Sequence, residues 1–145
     1  MARSEASISS ELADEARKEL ERDNQEAISA ARATATRTST PLNLKTPAGS
    51  AKLQAAYTDF AAAFRAAHSG SSLKNPQPLL FLSRPPMHKA SPHGDSACLA
   101  LGKIGGGDAE ELQKGQAFAW RKGEKQEFGD VDAIYIWFQV EQSSA

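Results

Sequence analysis

Apolar residues recur at helical spacing in the first half of the chain and alternate in the second, with the change of period near Gly70. Leu53, Ala56, Tyr57, Phe60, Phe64 and Ala67 follow one another at intervals of three and four, which predicts a helix over 50–68. Thr46 or Ser50 can cap its start and Ser69-Gly70 stops it. Ala61, Ala62, Ala63 and Ala66 allow another backbone to come close, so this is the main core helix. Residues 5–33 also read as one helix, rich in strong formers and free of Gly and Pro, with Ser4 or Ser7 as cap. Its apolar stripe is narrow: Ile8, Leu12, Ala16, Leu20, Ala27, Ile28 and Ala31. A core-facing helix presents a stripe roughly 100° wide with several large side chains. The thin stripe therefore predicts a helix that lies on a surface or pairs weakly with a partner.

Between the helices, residues 33–47 (ATATRTSTPLNLKTP) carry β-branched and hydroxylated residues, and Pro41 and Pro47 forbid a continued helix. This reads as an extended connector, with Leu42 and Leu44 as its apolar contacts. After Gly70 come short apolar runs, Leu79–Leu82 and Cys98–Leu101, and two alternating runs, Gln116–Trp120 and Val131–Val140. In the last, Ile134, Ile136, Phe138 and Val140 point one way and Ala133, Tyr135, Trp137 and Gln139 the other. Large residues on both faces predict a strand covered on both sides, or one whose second face is an interface. Turn signals at Asn75-Pro76, Ser91-Pro92-His93-Gly94, Gly105-Gly106-Gly107 and Gly129-Asp130 separate the runs. Helices first and strands after predict an α+β class: a small antiparallel sheet or β-sandwich, not a βαβ fold. The expected division is an N-terminal arm over 1–47 and a folded body over 48–145.

Charge sharpens this division. The 145 residues carry a net charge of −1, but residues 1–33 hold five basic and eight acidic side chains, net −3. Residues 34–74 hold five basic and one acidic, net +4, and residues 75–145 seven basic and nine acidic, net −2. Such a partition suggests segments that contact different surfaces, or one another in neighbouring copies. The near-neutral total argues against a generally basic nucleic-acid binder. No apolar run reaches the ~18–20 residues that span a bilayer, and the N-terminus lacks the apolar core of a signal peptide. The single cysteine, Cys98, excludes an intrachain disulfide and a multi-cysteine metal site.

Candidate chemistry is sparse. His88, His93, Asp95 and Cys98 fall within eleven residues and are all competent metal ligands, yet their spacing matches no zinc pattern. The same residues offer a soluble metal-binding or enzymatic domain as a rival reading. Cys98, opening an apolar run, fits a buried structural thiol better than a nucleophile. Gly102-Lys103-Ile104-Gly105-Gly106-Gly107 resembles a phosphate loop only superficially, because its lysine precedes most of the glycines and Asp108, Glu110 and Glu111 follow. A hairpin connection is the expected role. The carboxylates Asp108, Glu110, Glu111, Glu124, Glu127, Asp130 and Asp132 lie among Lys114, Arg121, Lys122 and Lys125 and single out no acid–base pair. Trp120-Arg121-Lys122, Tyr135 and Trp137 could stack bases, which gives a nucleic-acid-associated accessory protein as the third reading.

The stretch Gln113–Val140 resembles the closing hairpin of small tailed-phage virion proteins. The matching residues are Lys114-Gly115, Phe118, Trp120, Gly123 and Val131-Asp132-Ala133-Ile134-Tyr135-Ile136. The resemblance covers about a fifth of the chain and implies a β-sandwich that decorates or joins capsid or tail subunits without catalysis. With the arm, it leads to the expectation of a structural subunit of a virus-like assembly: capsid cement, decoration or head–tail joining. Its expected partners are other virion subunits and copies of itself, with no membrane, cofactor, metal or small-molecule substrate. Its expected location is the virion, assembled in the host cytoplasm. The expected contact residues are Ile8, Leu12, Leu20 and Ile28 on the arm, Leu42 and Leu44 on the connector, and Tyr135 and Trp137 on the last strand.

Overall fold

The computed structural model describes residues 6–33, 42–46, 49–82, 87–90, 95–109, 112–121, 123–128 and 131–142, with backbone only for 87–90, 125–128 and 142. Its elements are α1 (Ser10–Asp23), α2 (Gln25–Ala33), β1 (Leu42–Asn43), α3 (Ala51–Ala67), β2 (Ser71–Phe81), β3 (Met87–Ala90), β4 (Ser96–Lys103), β5 (Ala117–Trp120), β6 (Lys125–Phe128) and β7 (Ala133–Gln142). The class is α+β. Five strands form one antiparallel sheet in the order β1-β2-β7-β4-β5, and β3 and β6 form a separate two-stranded ribbon.

The alternation of Val131–Val140 makes β7 the centre of the sheet. It pairs with β2 along one edge, Leu80 opposite Ile134 and Leu79 opposite Tyr135, and with β4 along the other, Leu99 opposite Ile136 and Cys98 opposite Trp137. Because side chains alternate, Ile134, Ile136 and Phe138 enter one apolar cluster, and Ala133 and Tyr135 enter another on the opposite face. The first cluster lies under the helices: Leu53, Ala56, Phe60 and Phe64 of α3 and Ala13, Ala16 and Leu20 of α1 pack with Leu99 and Leu101 of β4. Phe138 sits 5.2 Å from Phe60 between ring centroids and meets Tyr57 edge-on at 6.1 Å. The second cluster is aromatic: Tyr135 stands between Phe81 at 5.6 Å and Phe118 at 6.5 Å. Ala109 and Leu112, from the β4–β5 connection, close part of it.

One expectation about the strands is corrected. Gln113–Val140 is not a hairpin, because β5 and β7 do not pair with each other; both pair with β4, on its two sides. Its intervening β6 pairs with β3. The ribbon's feet also stand at opposite ends of the sheet: β2 ends at Phe81 beside Ala133, and β5 ends at Trp120 beside Ser96. The hairpin connection expected at Gly102–Gly107 does join two antiparallel neighbours, β4 and β5.

The N-terminal helix differs more. It is two helices, broken at Asn24, with Ser9 as the N-cap whose hydroxyl accepts from the Leu12 N–H at 3.1 Å. Asn24 is buried, and its side chain reads the backbone of the connector as a strand would. Its Oδ1 accepts from the Lys45 N–H at 2.8 Å and its Nδ2 donates to the Lys45 carbonyl at 3.0 Å. The arm does not reach away from the body. Ala13 and Ala16 are small enough to seat α1 directly on α3 and β4, so a thin stripe suffices to bury it completely at Leu20. The stretch Thr34–Pro41 lies outside the described residues, whereas Leu42–Leu44 runs extended beside β2, the Leu44 N–H donating to the Pro78 carbonyl at 3.1 Å.

α1 also caps α3. No hydroxyl of Ser50 bonds the first turn of α3; the Glu19 carboxylate accepts instead from the Leu53 N–H at 2.9 Å and the Lys52 N–H at 3.4 Å. A carboxylate on these orphan donors also suits the positive end of the helix dipole. Glu19→Ala is expected to cost about 1 kcal/mol, as loss of a side-chain cap does, and Glu19→Gln less. Urea midpoints of the two variants check the order.

Candidate functional site

The described polar groups converge where α1 meets the β4–β5 connection. Arg17 lies four residues after Ala13 and three before Leu20, on the apolar stripe, and is 2% exposed. Acids flank it on its own helix: its Nη2 donates to Asp14 at 2.6 Å and its Nη1 is paired with Glu21. Both acids also grip the connection opposite. Lys114 reaches Asp14 at 3.3 Å, and the Gly105 N–H donates to Glu21 at 3.2 Å. The Ile8 N–H donates to the Gly115 carbonyl at 2.9 Å. The glycine-rich turn thus has an internal carboxylate against one of its amides, where a phosphate-loop reading would put a ligand.

The Arg17 hydrogen bond, with Lys18 and Lys114 adding to it, holds the Asp14 carboxyl well below its ordinary range. A folded-state value below the unfolded one stabilises the fold at neutral pH, fully above about pH 4, and the gain is lost as pH falls toward the depressed value. Asp14→Asn is therefore expected to be less stable than the wild type at pH 7, with the gap closing between about pH 4 and pH 2. Urea midpoints at pH 7, 5, 3 and 2 test this; a gap independent of pH refutes it.

A second clamp uses the Val131-Asp132 motif. Asp132 is buried, and its carboxylate accepts from Arg32 of α2 at 2.9 Å while its carbonyl accepts from the Ile104 N–H at 2.8 Å. One aspartate thereby ties the start of β7 to the end of α2 and to the turn after β4.

The expected contact residues are mostly interior. Leu20, Ile28, Leu44 and Tyr135 are buried in the chain's own core. Ile8, Leu12 and Leu42 are half-buried against the first cluster, and Trp137 against the second. For the arm and connector residues the reason is that the helix pair and connector pack on their own sheet, which takes up the apolar surface an outreaching arm would offer; Tyr135 is instead covered by Phe81 and Phe118 on the opposite face. Of the two expected contact aromatics on β7, Tyr135 is buried and Trp137 is half-buried.

The metal-ligand quartet does not come together among the described residues. Cys98 is fully buried in β4, and burial pushes its thiol far above the ordinary range. Asp95 is exposed before the strand, while His93 and the side chain of His88 lie outside the described residues. Among the described residues no group of three His, Cys, Asp or Glu is placed to hold a metal. For base stacking, Trp120 and Tyr135 are buried, and the Trp120 indole N–H donates to the Glu124 carbonyl at 2.8 Å. Of the carboxylates, Asp108 accepts from the Lys114 N–H at 3.3 Å and Asp132 is clamped as above, while Glu110, Glu111 and Asp130 lie outside the described residues.

What the described surface does offer is strand edge. β1 covers β2 only at Leu79 and Leu80, so among the described residues no strand pairs with the outer side of Ser71–Lys74. β5, four residues long, has β4 as its strand partner and ends the sheet on the other side. Asn75, at φ 55°, and the register shift between Lys74 and Gln77 twist the β2 edge just where β1 leaves it.

No family model, curated protein or solved structure matches this chain. No helix among the described residues is long and apolar enough to cross a membrane.

Proposed function

We propose that this chain is a non-catalytic structural subunit of a virus-like assembly, of the capsid cement, decoration or head–tail joining kind. The observation that carries the reading is the use made of the stretch resembling phage virion proteins. It supplies the central strand β7 and the edge strand β5 of the sheet, with its Asp132 spent on a structural clamp. The buried and half-buried polar side chains Asp14, Arg17, Glu19, Asn24 and Asp132 likewise hold one element to another. Neighbouring subunits then engage the surface and strand edges of the body, not a free N-terminal arm. Open edges suit this role, since main-chain pairing with an added strand gives affinity without a deep pocket.

Gradient-purified particles from the source culture, analysed by quantitative mass spectrometry, test the reading. The chain is expected in a fixed ratio to the major shell protein in every particle fraction. Abundant chain in the lysate with none in the particles overturns the proposal.

A further inference from the structure

We draw no further inference here: the strongest candidate, the open groove of about 510 Å³ lined by Glu21, Gln25, Ile28, Arg32 and Ile104 between the N-terminal helix pair and the turn after β4, is bordered by the Glu21–Gly105 and Arg32–Asp132 contacts of the clamps already described, and nothing in the structure shows what covers it.

Discussion

Deleting residues 1–33 is expected to leave a chain that does not fold cooperatively. The segment carries Ala13, Ala16, Leu20 and Ile28 of the first core cluster, and its loss opens Leu53, Ala56, Leu99 and Leu101 to water. Truncating a buried leucine alone, as in Leu20→Ala, costs roughly 2–5 kcal/mol. A domain of this size has only about 5–15 kcal/mol in total. The deletion also removes the Glu19 cap of α3 and the Asn24 pairing with Lys45, so α3 and the connector lose their ends together with their cover. Solubility, near-UV circular dichroism and a urea transition measure the outcome. A soluble deletion variant with the wild-type midpoint would show the segment to be an appendage after all. Leu20→Ala in the full chain is the milder companion, expected to lower the midpoint while keeping a single transition.

The same contacts explain which parts of the fold are legible in the sequence. Helix α3 and the two faces of β7 follow from period alone, because each buries a continuous run of large residues. Burial follows the predicted pattern closely: Leu53, Ala56, Phe60 and Phe64 are buried, Tyr57 is half-buried, and only Ala67, the last residue of the helix, is exposed. α1 misleads because its stripe is thin in large residues, yet alanine fills a close helix–sheet contact as well as leucine fills a wide one. Arg17 and Asn24 carry a signal that goes unused: both fall on the line of buried positions running from Ala13 through Leu20 to Ile28. A polar residue there is either an error in the helix or a buried group with partners, and here it is the latter. β2 is hidden for a different reason. Pro76 and Pro78 sit within Ser71–Phe81, and prolines are tolerated in a strand only near an edge or a bulge. The register shift between Lys74 and Gln77 and the short β1 supply both conditions. The polar ribbon β3–β6 has no alternation to read.

Charge partition gains a local meaning as well. The acidic first segment and the basic second one meet within one molecule, at its surface, where Lys52 of α3 pairs with Glu15 of α1 at 2.9 Å and the α3 amides meet Glu19. Glu15, with Glu11 and Glu19 near it, raises the Lys52 ammonium pKa. Part of a pattern that suggests contact between copies is therefore satisfied within one copy.

Among the described glycines, Gly115→Ala is expected to be the most damaging added methyl. Gly115 has φ 90°, and a Cβ there would collide with the Ile8 carbonyl oxygen, a backbone atom that cannot rotate away. Gly105, at φ 85°, has nothing within 4 Å of the same added atom and serves as the matched control. Both variants incur the cost of holding an L-residue at positive φ, about 1–3 kcal/mol. Only Gly115→Ala also forces residues 6–9 off the β4–β5 connection, giving up the Ile8–Gly115 hydrogen bond, worth about 1 kcal/mol net, and disturbing the cover of buried Ala6. The first turn of α1 follows directly, so its amides should exchange faster in Gly115→Ala than in Gly105→Ala. Thermal melts combined with amide hydrogen exchange over residues 8–16 decide the matter. Equal destabilisation by the two variants, with unchanged exchange in α1, would mean that the N-terminal segment does not lie against Gly115 in solution.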